Sequence, residues 1–247
     1  MLELLDSRQK LTIICLLSLS ILVCIIGLSF GSFQIELTKI FLGFGDPLQT
    51  EVLLNIRSPR VLLAAFVGAG LGISGAALQG LFRNPLADPA LIGVSAGAAF
   101  GAVSAIVLIN TGLSFLQLGS FLVPLAAIIG SLVVIGLIYI LTASFTNSGI
   151  LYMLLVGIAL NAISTVGIGF LTFISSDSQL RTLTFWMMGS FGSTSWELLL
   201  PAVVLIMVTI FILVSNARKL DIMQLGESEA SRIGIDVVKT RRTIIIS

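Results

Sequence analysis

Residues 81–103 read LFRNPLADPALIGVSAGAAFGAV, and this stretch decides how the chain is organised. It places polar residues and two prolines between two long apolar runs. Pro85 cannot continue a helix, so we expect the preceding helix to end here. Asp88 and Pro89 are the residue types of an N-cap and a first helical position, so a second helix is predicted to follow. The predicted structural turn consists of Arg83, Asn84, Pro85, Asp88 and Pro89.

The apolar runs on either side are long enough to cross a membrane. Of the 247 residues, 57% are hydrophobic and only 10% are charged, against roughly a quarter charged in an ordinary soluble domain. Residues 89–176 contain no Asp, Glu, Lys or Arg. Because a spanning helix needs about 20 apolar residues, the sequence predicts an all-α, polytopic membrane protein. The predicted spans are 11–33, 60–82, 90–109, 120–142, 150–174 and 197–217, with the start of a seventh near Thr243.

The basic residues favour one orientation in the bilayer, because cytoplasmic loops carry an excess of Lys and Arg. With a cytoplasmic N-terminus, nine basic residues lie inside and four lie outside. The inside set is Arg8, Lys10, Arg83, Arg218, Lys219, Arg232, Lys239, Arg241 and Arg242, and the outside set is Lys39, Arg57, Arg60 and Arg181. A short helix over residues 181–190 is predicted to lie across the outer mouth.

Small residues predict close helix packing. Gly93, Gly97 and Gly101 recur every four residues, which gives one face of a helix a smooth stripe that another backbone can approach. The sequence therefore predicts that the second and third spans pack tightly against each other. Residues 70–75 match G-x-G-x-x-G, but they lie inside a span and not in a strand–turn–helix unit, so they favour helix packing over dinucleotide binding.

Several kinds of chemistry are disfavoured. The chain has no histidine, no P-loop and no basic block for nucleic acid, and its two cysteines lie on one predicted helix. We therefore predict no catalytic residue, no metal site and no nucleic-acid partner. Ion- or proton-coupled carriers keep ionisable residues at membrane depth, and the predicted spans offer none there. Such a secondary carrier nevertheless remains the alternative function, and a structural or assembly protein is a further one.

Residues 220–240, hereafter the 220–240 segment, contain a short predicted helix. Glu227 and Glu229 fall in its first turn and Arg232 in its last, which complements the helix dipole. Gly226 opens this helix and Gly234 is placed to end it. A helix of about seven residues is marginal alone, so it needs tertiary contacts or a partner. Either the segment docks onto a partner through Ile222, Leu225, Ala230 and Ile233, or it lies on its own membrane domain.

Four collinear stretches together resemble the FecCD-type permease subunit of bacterial ABC importers for haem, ferric siderophores and vitamin B12. They are residues 57–98, LLVGIALNA at 154–162, FWMMGSFGSTSW at 185–196 and LGESEASRIGI at 225–235. Such permeases are similar in having ten helices per subunit. The resemblance implies a single transmembrane permease domain over residues 1–247, truncated at its C-terminus relative to the family, with a cytoplasmic coupling segment at 220–240.

The resemblance also implies partners and location. We expect a multi-pass protein of the bacterial inner membrane with a cytoplasmic N-terminus. Its expected partners are a second permease subunit, as a homodimer, two cytosolic ABC ATPases and a periplasmic or lipid-anchored binding protein. The chain would be no enzyme and bind no cofactor, since ATP and Mg²⁺ are used by the ATPases. Residues 84–99 look most like the haem branch, so haem is the favoured cargo, a ferric siderophore the next, and vitamin B12 a third.

Roles carry over from the family only at matching positions. The R-x-P-R motif falls on Arg57, Pro59 and Arg60, and it implies that the two arginines receive acidic residues of the binding protein. The resemblance also implies that the fifth span partly lines the translocation pathway, through the face that carries Asn161, Ser164 and Thr165. Relatives often carry a second glutamate where Ser228 stands. The implied ATPase-coupling residues are Leu225, Gly226, Glu227, Glu229, Ala230, Arg232, Ile233 and Gly234.

Overall fold

The structure, a computed structural model, describes residues 6–43, 45–108, 119–142 and 149–247. Regular secondary structure in these ranges is helical, which confirms the predicted all-α fold. In chain order the α-helices of the described residues are α1 (Ser7–Ser29), α2 (Leu37–Phe41), α3 (Pro47–Glu51), α4 (Ser58–Phe82), α5 (Val94–Leu108), α6 (Leu122–Thr142), α7 (Gly149–Phe173), α8 (Asp177–Met188), α9 (Trp196–Ser215), α10 (Ala217–Met223), α11 (Glu227–Arg232) and α12 (Val237–Ile246).

Helical stretches that are long and apolar enough to cross a bilayer correspond to all predicted complete spans except the third. Within the described residues there are five, and they are Ser7–Ser29, Pro47–Phe82, Gly119–Thr142, Tyr152–Phe173 and Trp196–Ser215. Their large aliphatic side chains are mostly exposed, and none of the described side chains of α1 is buried. Apolar surface on this scale is expected where a helix is surrounded by lipid.

The third predicted span differs from the expectation of a continuous helix over 90–109. Asp88 does cap a helical turn, but that turn is a single 3₁₀ turn, Pro89–Ile92, and it ends where Gly93 adopts a left-handed φ of 88°. The α-helix begins only at Val94 and is described for 15 residues, while residue 109 lies outside the described ranges. At 1.5 Å per residue, α5 measures about 22 Å, which is less than the roughly 30 Å of a hydrocarbon core.

Several other boundaries shift because of capping residues. The seventh helix, predicted to start near Thr243, already begins at Val237, where the Asp236 carboxylate accepts a hydrogen bond from the backbone N–H of Lys239 at 2.9 Å. Helix α8 begins at Asp177 rather than at residue 181, since Ser176 and Gln179 form a capping box. Helix α3 was not predicted, although Asp46 caps it with the same Asp-Pro signal that occurs at residues 88–89.

The glycine stripe packs as closely as predicted, but on a different helix. A Cβ on Gly97 would lie 2.8 Å from the carbonyl oxygen of Gly130 on α6, and a Cβ on Gly101 would overlap the carbonyl oxygen of Ala126. Gly93 instead faces the carbonyl oxygen of Gly157 on α7, at 2.9 Å from the built Cβ. The prediction that this stripe packs on the second span is therefore wrong, since small residues on α6 provide the matching surface.

The described residues divide into two compact units. The first comprises the chain up to Gly70 together with Phe191–Met207, and the second comprises Leu71–Ser190 and Val208–Ser247. In the second unit, one apolar cluster includes Leu81, Ile138 and Met223, each at most 1% exposed. A smaller cluster joins α5, α7 and α8 through Val103, Leu171, Leu183 and their neighbours. The single permease domain over residues 1–247 stays a prediction.

Candidate functional site

Arg57 lies inside the first unit, only 8% exposed. Its Nη1 donates hydrogen bonds to the carbonyl oxygens of Leu28 at 2.9 Å and Ser29 at 2.8 Å, and its Nη2 donates to that of Phe33. The carbonyls of Leu28 and Ser29 belong to the last turn of α1, where no helical N–H group reaches them and the helix dipole favours a cation. Arg57 therefore caps the end of α1 and does not present an exposed guanidinium, and its role in docking stays a prediction.

A π-helical turn, Val52–Arg57, precedes α4. The Ser58 hydroxyl donates to the carbonyl oxygen of Leu53 at 2.7 Å and so closes this wider turn. Arg57 ends the π turn and is buried, whereas Arg60 belongs to the following α-helix and is exposed. Single π turns of this kind occur often at functional sites.

Arg60 remains at the surface, as predicted, and joins two of the stretches that carry the family resemblance. Its Nη2 donates to the carbonyl oxygen of Gly192 at 2.6 Å. Nearby, the indole Nε1 of Trp196 donates to the carbonyl oxygen of Leu54 at 3.1 Å. These bonds fix the 192–196 stretch against the start of α4 within the first unit. A guanidinium has five N–H donors, so Arg60 keeps donors for a further acceptor.

The predicted structural turn is present between α4 and the 3₁₀ turn. Arg83 follows the last residue of α4 with a left-handed φ of 52°, so the helix ends three residues before Pro85. The Asn84 side-chain carbonyl accepts a hydrogen bond from the N–H of Leu86 at 2.9 Å. Asp88 accepts one from the N–H of Ala90 at 2.8 Å, with Pro89 at the first helical position as expected.

The three predicted pathway residues lie on α7 in different surroundings. The Asn161 amide donates to the carbonyl oxygen of Ala90 at 2.9 Å and so ties α7 to the 3₁₀ turn. Ser164 is buried, with only 8% of its surface exposed. Thr165 is exposed, and its hydroxyl donates to the Asn161 carbonyl oxygen within the helix. The structure therefore gives Asn161 a structural bond, and the pathway role of all three residues stays a prediction.

A cavity of about 450 Å³ lies among α5, α6 and α7. Ser164 lines it, together with Phe100 and Ile163 and the close-packed glycines Gly97 and Gly130. The lining is almost entirely apolar, and in the part of the chain that the structure describes, no group of three Cys, Asp or Glu side chains is placed to hold a metal ion.

Helix α11 forms as predicted in the 220–240 segment. Gly226 at φ 127° precedes it, Gly234 at φ 93° follows it, and Glu229 pairs with Arg232 at 3.0 Å along the helix. Its apolar residues divide between two faces. Ala230 is fully buried and packs in the cluster that contains Leu81 and Met223. Leu225 and Ile233, beside α11, are 72% and 65% exposed. The helix thus lies on its own chain with one face and leaves two large aliphatic side chains uncovered.

Glu227, the first residue of α11, makes contacts that sequence reasoning missed. Its Oε1 lies 3.6 Å from Nη2 of Arg83 and accepts a hydrogen bond from Nη2 of Arg241 on α12. From the sequence, Arg241 was predicted only to be one of the basic residues on the cytoplasmic side. Fourteen residues separate it from Glu227, and no helical spacing links the two, so only the fold brings them together.

The apolar helices and the capped turns between them define an all-helical, multi-pass membrane protein. Residues 18–247 match the FecCD transport family, and the chain belongs to that family. The resemblance seen in the four sequence stretches is thereby confirmed across almost the whole chain.

Relatives of known role are permease proteins of several import systems. The hemin transport system permease HmuU of Yersinia pestis is 37% identical over 97% of this chain and 71% of its own length. The molybdate import system permease MolB of Haemophilus influenzae is 35% identical over 81% of this chain and 57% of its own. The vitamin B12 import system permease BtuC of Vibrio vulnificus is 33% identical over 98% and 70%.

A solved structure supports the same fold. It is an inward-facing conformation of a transporter assigned to the metal-chelate type of ABC transporter, and it is 32% identical to this chain. The match has a TM-score of 0.81 and covers 96% of this chain and 72% of that one.

Proposed function

We propose that this chain forms the membrane-spanning permease of an ATP-binding-cassette importer in a bacterial inner membrane. The observation that carries the proposal is the FecCD match over residues 18–247, combined with a helix in the 220–240 segment that has one buried and one exposed face. Such a permease changes no covalent bond in its cargo. It works by alternating access, in which a cavity opens to one side of the membrane and then to the other.

The energy is proposed to come from a separate ATPase, with its ATP and Mg²⁺, and the permease itself holds neither. Leu225 and Ile233 supply exposed aliphatic side chains for contact with that ATPase on the cytoplasmic side. The N-terminus then also faces the cytoplasm, which agrees with nine basic residues on that side against four on the other. A second permease subunit completes the pathway, and we propose a homodimer.

A binding protein on the outer side is proposed to deliver the cargo. Arg60 is the arginine suited to receive one of its carboxylates, because its guanidinium is exposed and held in place by Gly192. Arg57 instead donates its hydrogen bonds to the end of α1 and so stabilises this surface from a buried position.

We propose haem as the cargo, which the 37% identity to a hemin permease supports. Ferric siderophore, vitamin B12 and molybdate are the competing cargoes in the same experiment. The full-length protein is reconstituted in liposomes with its ATPase and binding protein, and uptake of each cargo is followed. The proposal expects haem uptake that needs ATP and persists with a protonophore. Uptake that collapses with the protonophore while ATP persists would show an ion-coupled carrier. If ATP hydrolysis by the ATPase changes with neither the permease nor the binding protein, a structural protein would instead be favoured.

A further inference from the structure

We propose that Glu227 links three elements of this chain and does not itself contact a partner. Its carboxylate ties the short helix α11 to the turn after α4 and to α12, so that a push on α11 moves both neighbours together. The proposal rests on the function proposed above only in one respect, which is that the ATPase supplies the force on α11. The link itself is a property of this chain.

The geometry of one carboxylate oxygen carries the proposal. Oε1 of Glu227 accepts a hydrogen bond from Arg241 and lies 3.6 Å from the guanidinium of Arg83. Glu227 belongs to α11, Arg241 to α12, and Arg83 to the turn that ends α4. The Arg241 side chain is only 14% exposed, so its attraction to the carboxylate is screened less than that of a surface pair.

The backbone of Arg83 gives a second, independent argument. The N–H of Asn84 bonds to the carbonyl oxygen of Gln79 and the N–H of Arg83 to that of Gly80, both at 3.2 Å. This is a Schellman motif, in which glycine usually occupies the left-handed position. Among the described residues, Arg83 is the one non-glycine residue with a positive φ, at 52°. An arginine here carries a steric penalty that glycine lacks, and its guanidinium lies 3.6 Å from the Glu227 carboxylate.

The other charges of α11 show that this arrangement is particular to Glu227. Glu229 also lies in the first turn, but its partner is Arg232 of the same helix, at 3.0 Å, and both side chains are largely exposed. Within the described ranges, Glu229 therefore links α11 to no other element, and it serves as a matched control for Glu227.

Packing makes the link effective. Helix α11 has six residues and is too short to be stable alone. Ala230 anchors it in the apolar cluster that also contains Leu81 at the end of α4 and Val237 at the start of α12. The buried contact resists separation of these elements, and the charged contacts on Glu227 fix how α11 is turned relative to them. A force on the exposed Leu225 and Ile233 is then carried to α4 and α12 as one movement.

The first test needs no transport. In the full-length protein, with Cys15 and Cys24 replaced by serine, spin labels are placed at the exposed positions Leu86 and Ser228, and their distance distribution is measured in lipid nanodiscs. The proposal expects a narrow distribution that broadens in Glu227→Gln and stays narrow in Glu229→Gln. Equal distributions in all three proteins would overturn it.

The second test separates the ion pair from the backbone. Arg83→Gly removes the side chain but suits the left-handed φ, whereas Arg83→Lys keeps the charge and the strain. If Glu227 acts through Arg83, Arg83→Gly broadens the distance distribution as Glu227→Gln does, whereas Arg83→Lys broadens it less. The double variant Arg83→Gly/Glu227→Gln then has a distribution no broader than that of Glu227→Gln alone. A purely local role of Arg83 predicts the reverse: Arg83→Gly keeps the distribution narrow.

In the assembled transporter, loss of the link lowers the amount of cargo moved per ATP hydrolysed by about fivefold or more, while the ATPase still binds. Binding of the ATPase is tested separately with Ile233→Glu. If that variant still binds its ATPase normally, the proposed docking face is wrong. The distance measurements in the permease alone still show whether Glu227 links α11 to its neighbours.

Discussion

The guanidinium of Arg57 donates to the carbonyl oxygen of Ser29 at 2.8 Å, which joins the π turn before α4 to the end of α1 across 28 residues of sequence. Together with its bond to Leu28, this contact satisfies carbonyl groups that the last turn of a helix otherwise leaves without a partner, and a further bond goes to the carbonyl oxygen of Phe33 beyond the helix. Gly31 makes room for it, since a Cβ at that position would lie 2.7 Å from Nη2 of Arg57.

Replacing Arg57 by lysine should therefore destabilise the protein. Lysine keeps the charge but cannot reach several carbonyl oxygens with a planar fork of donors. Loss of one or two such bonds costs about 1.5–3 kcal/mol, and we expect thermal unfolding of the full-length protein in detergent to occur roughly 5 °C lower. Arg60→Lys is the control: a lysine can keep the single exposed bond to Gly192, so this variant should unfold close to the wild-type temperature. If Arg57→Lys instead unfolds normally but binds the binding protein poorly, Arg57 is a docking residue after all.

Arg60→Glu should weaken binding of the proposed binding protein. A reversed charge at an interface repels the acidic residues that the wild-type arginine attracts, and we expect the affinity to fall about tenfold or more at low salt. Surface-immobilised permease in nanodiscs allows a direct measurement. Arg181→Glu, an exposed arginine predicted on the same side of the membrane, is the control and should bind normally. Wild-type affinity in Arg60→Glu would remove this residue from the docking surface.

Ile233→Glu should prevent stable association with the ATPase. Ile233 is 65% exposed beside α11, and a carboxylate there removes an aliphatic contact and adds a charge that must lose its water. Co-purification of the tagged ATPase should drop about tenfold. The control is Val238→Glu, because Val238 is 72% exposed on the neighbouring helix α12. Equal losses in both variants would mean that any exposed aliphatic residue in this region serves equally, contrary to the proposal.

Gly130→Ala should destabilise the packing of α5 on α6. A methyl group there would overlap the carbonyl oxygen of Gly97, and backbone cannot move aside as a flexible side chain does. We expect a loss of about 1–3 kcal/mol, which lowers the unfolding temperature by roughly 2–10 °C. Gly136→Ala, on the same helix, is the control. Apart from its chain neighbours and the backbone of its own helix, no described atom lies within 4 Å of a Cβ at Gly136, so this change should be neutral or slightly stabilising.

Much of the fold follows from local signals in the sequence. Long apolar runs predict helices α1, α4, α6, α7 and α9, and Asp88-Pro89 predicts the start of a helical turn, because these signals act over a few neighbouring residues. The break at Gly93 was not predicted. In a stripe of small residues, a glycine that ends a turn looks the same as one that packs inside a helix.

The candidate sites were harder to predict, since their contacts join residues distant in sequence. The motif indicated that Arg57 and Arg60 are significant, but it could not show that Arg57 bonds to carbonyls 24 to 29 residues earlier. The composition of the 220–240 segment indicated a short helix, but not that Ala230 faces inward while Ile233 faces outward. Which side of a six-residue helix is buried depends on what it packs against, and periodicity alone does not contain that information.

The contact between Gly97 and Gly130 also limits how this protein can move. Where two helix backbones touch with no side chain between them, even a small slide drives one carbonyl oxygen into the opposite chain. Helices α5 and α6 should thus travel as a single rigid pair through every stage of a transport cycle. Any hinge should therefore lie at helix interfaces that are packed through larger and more flexible side chains.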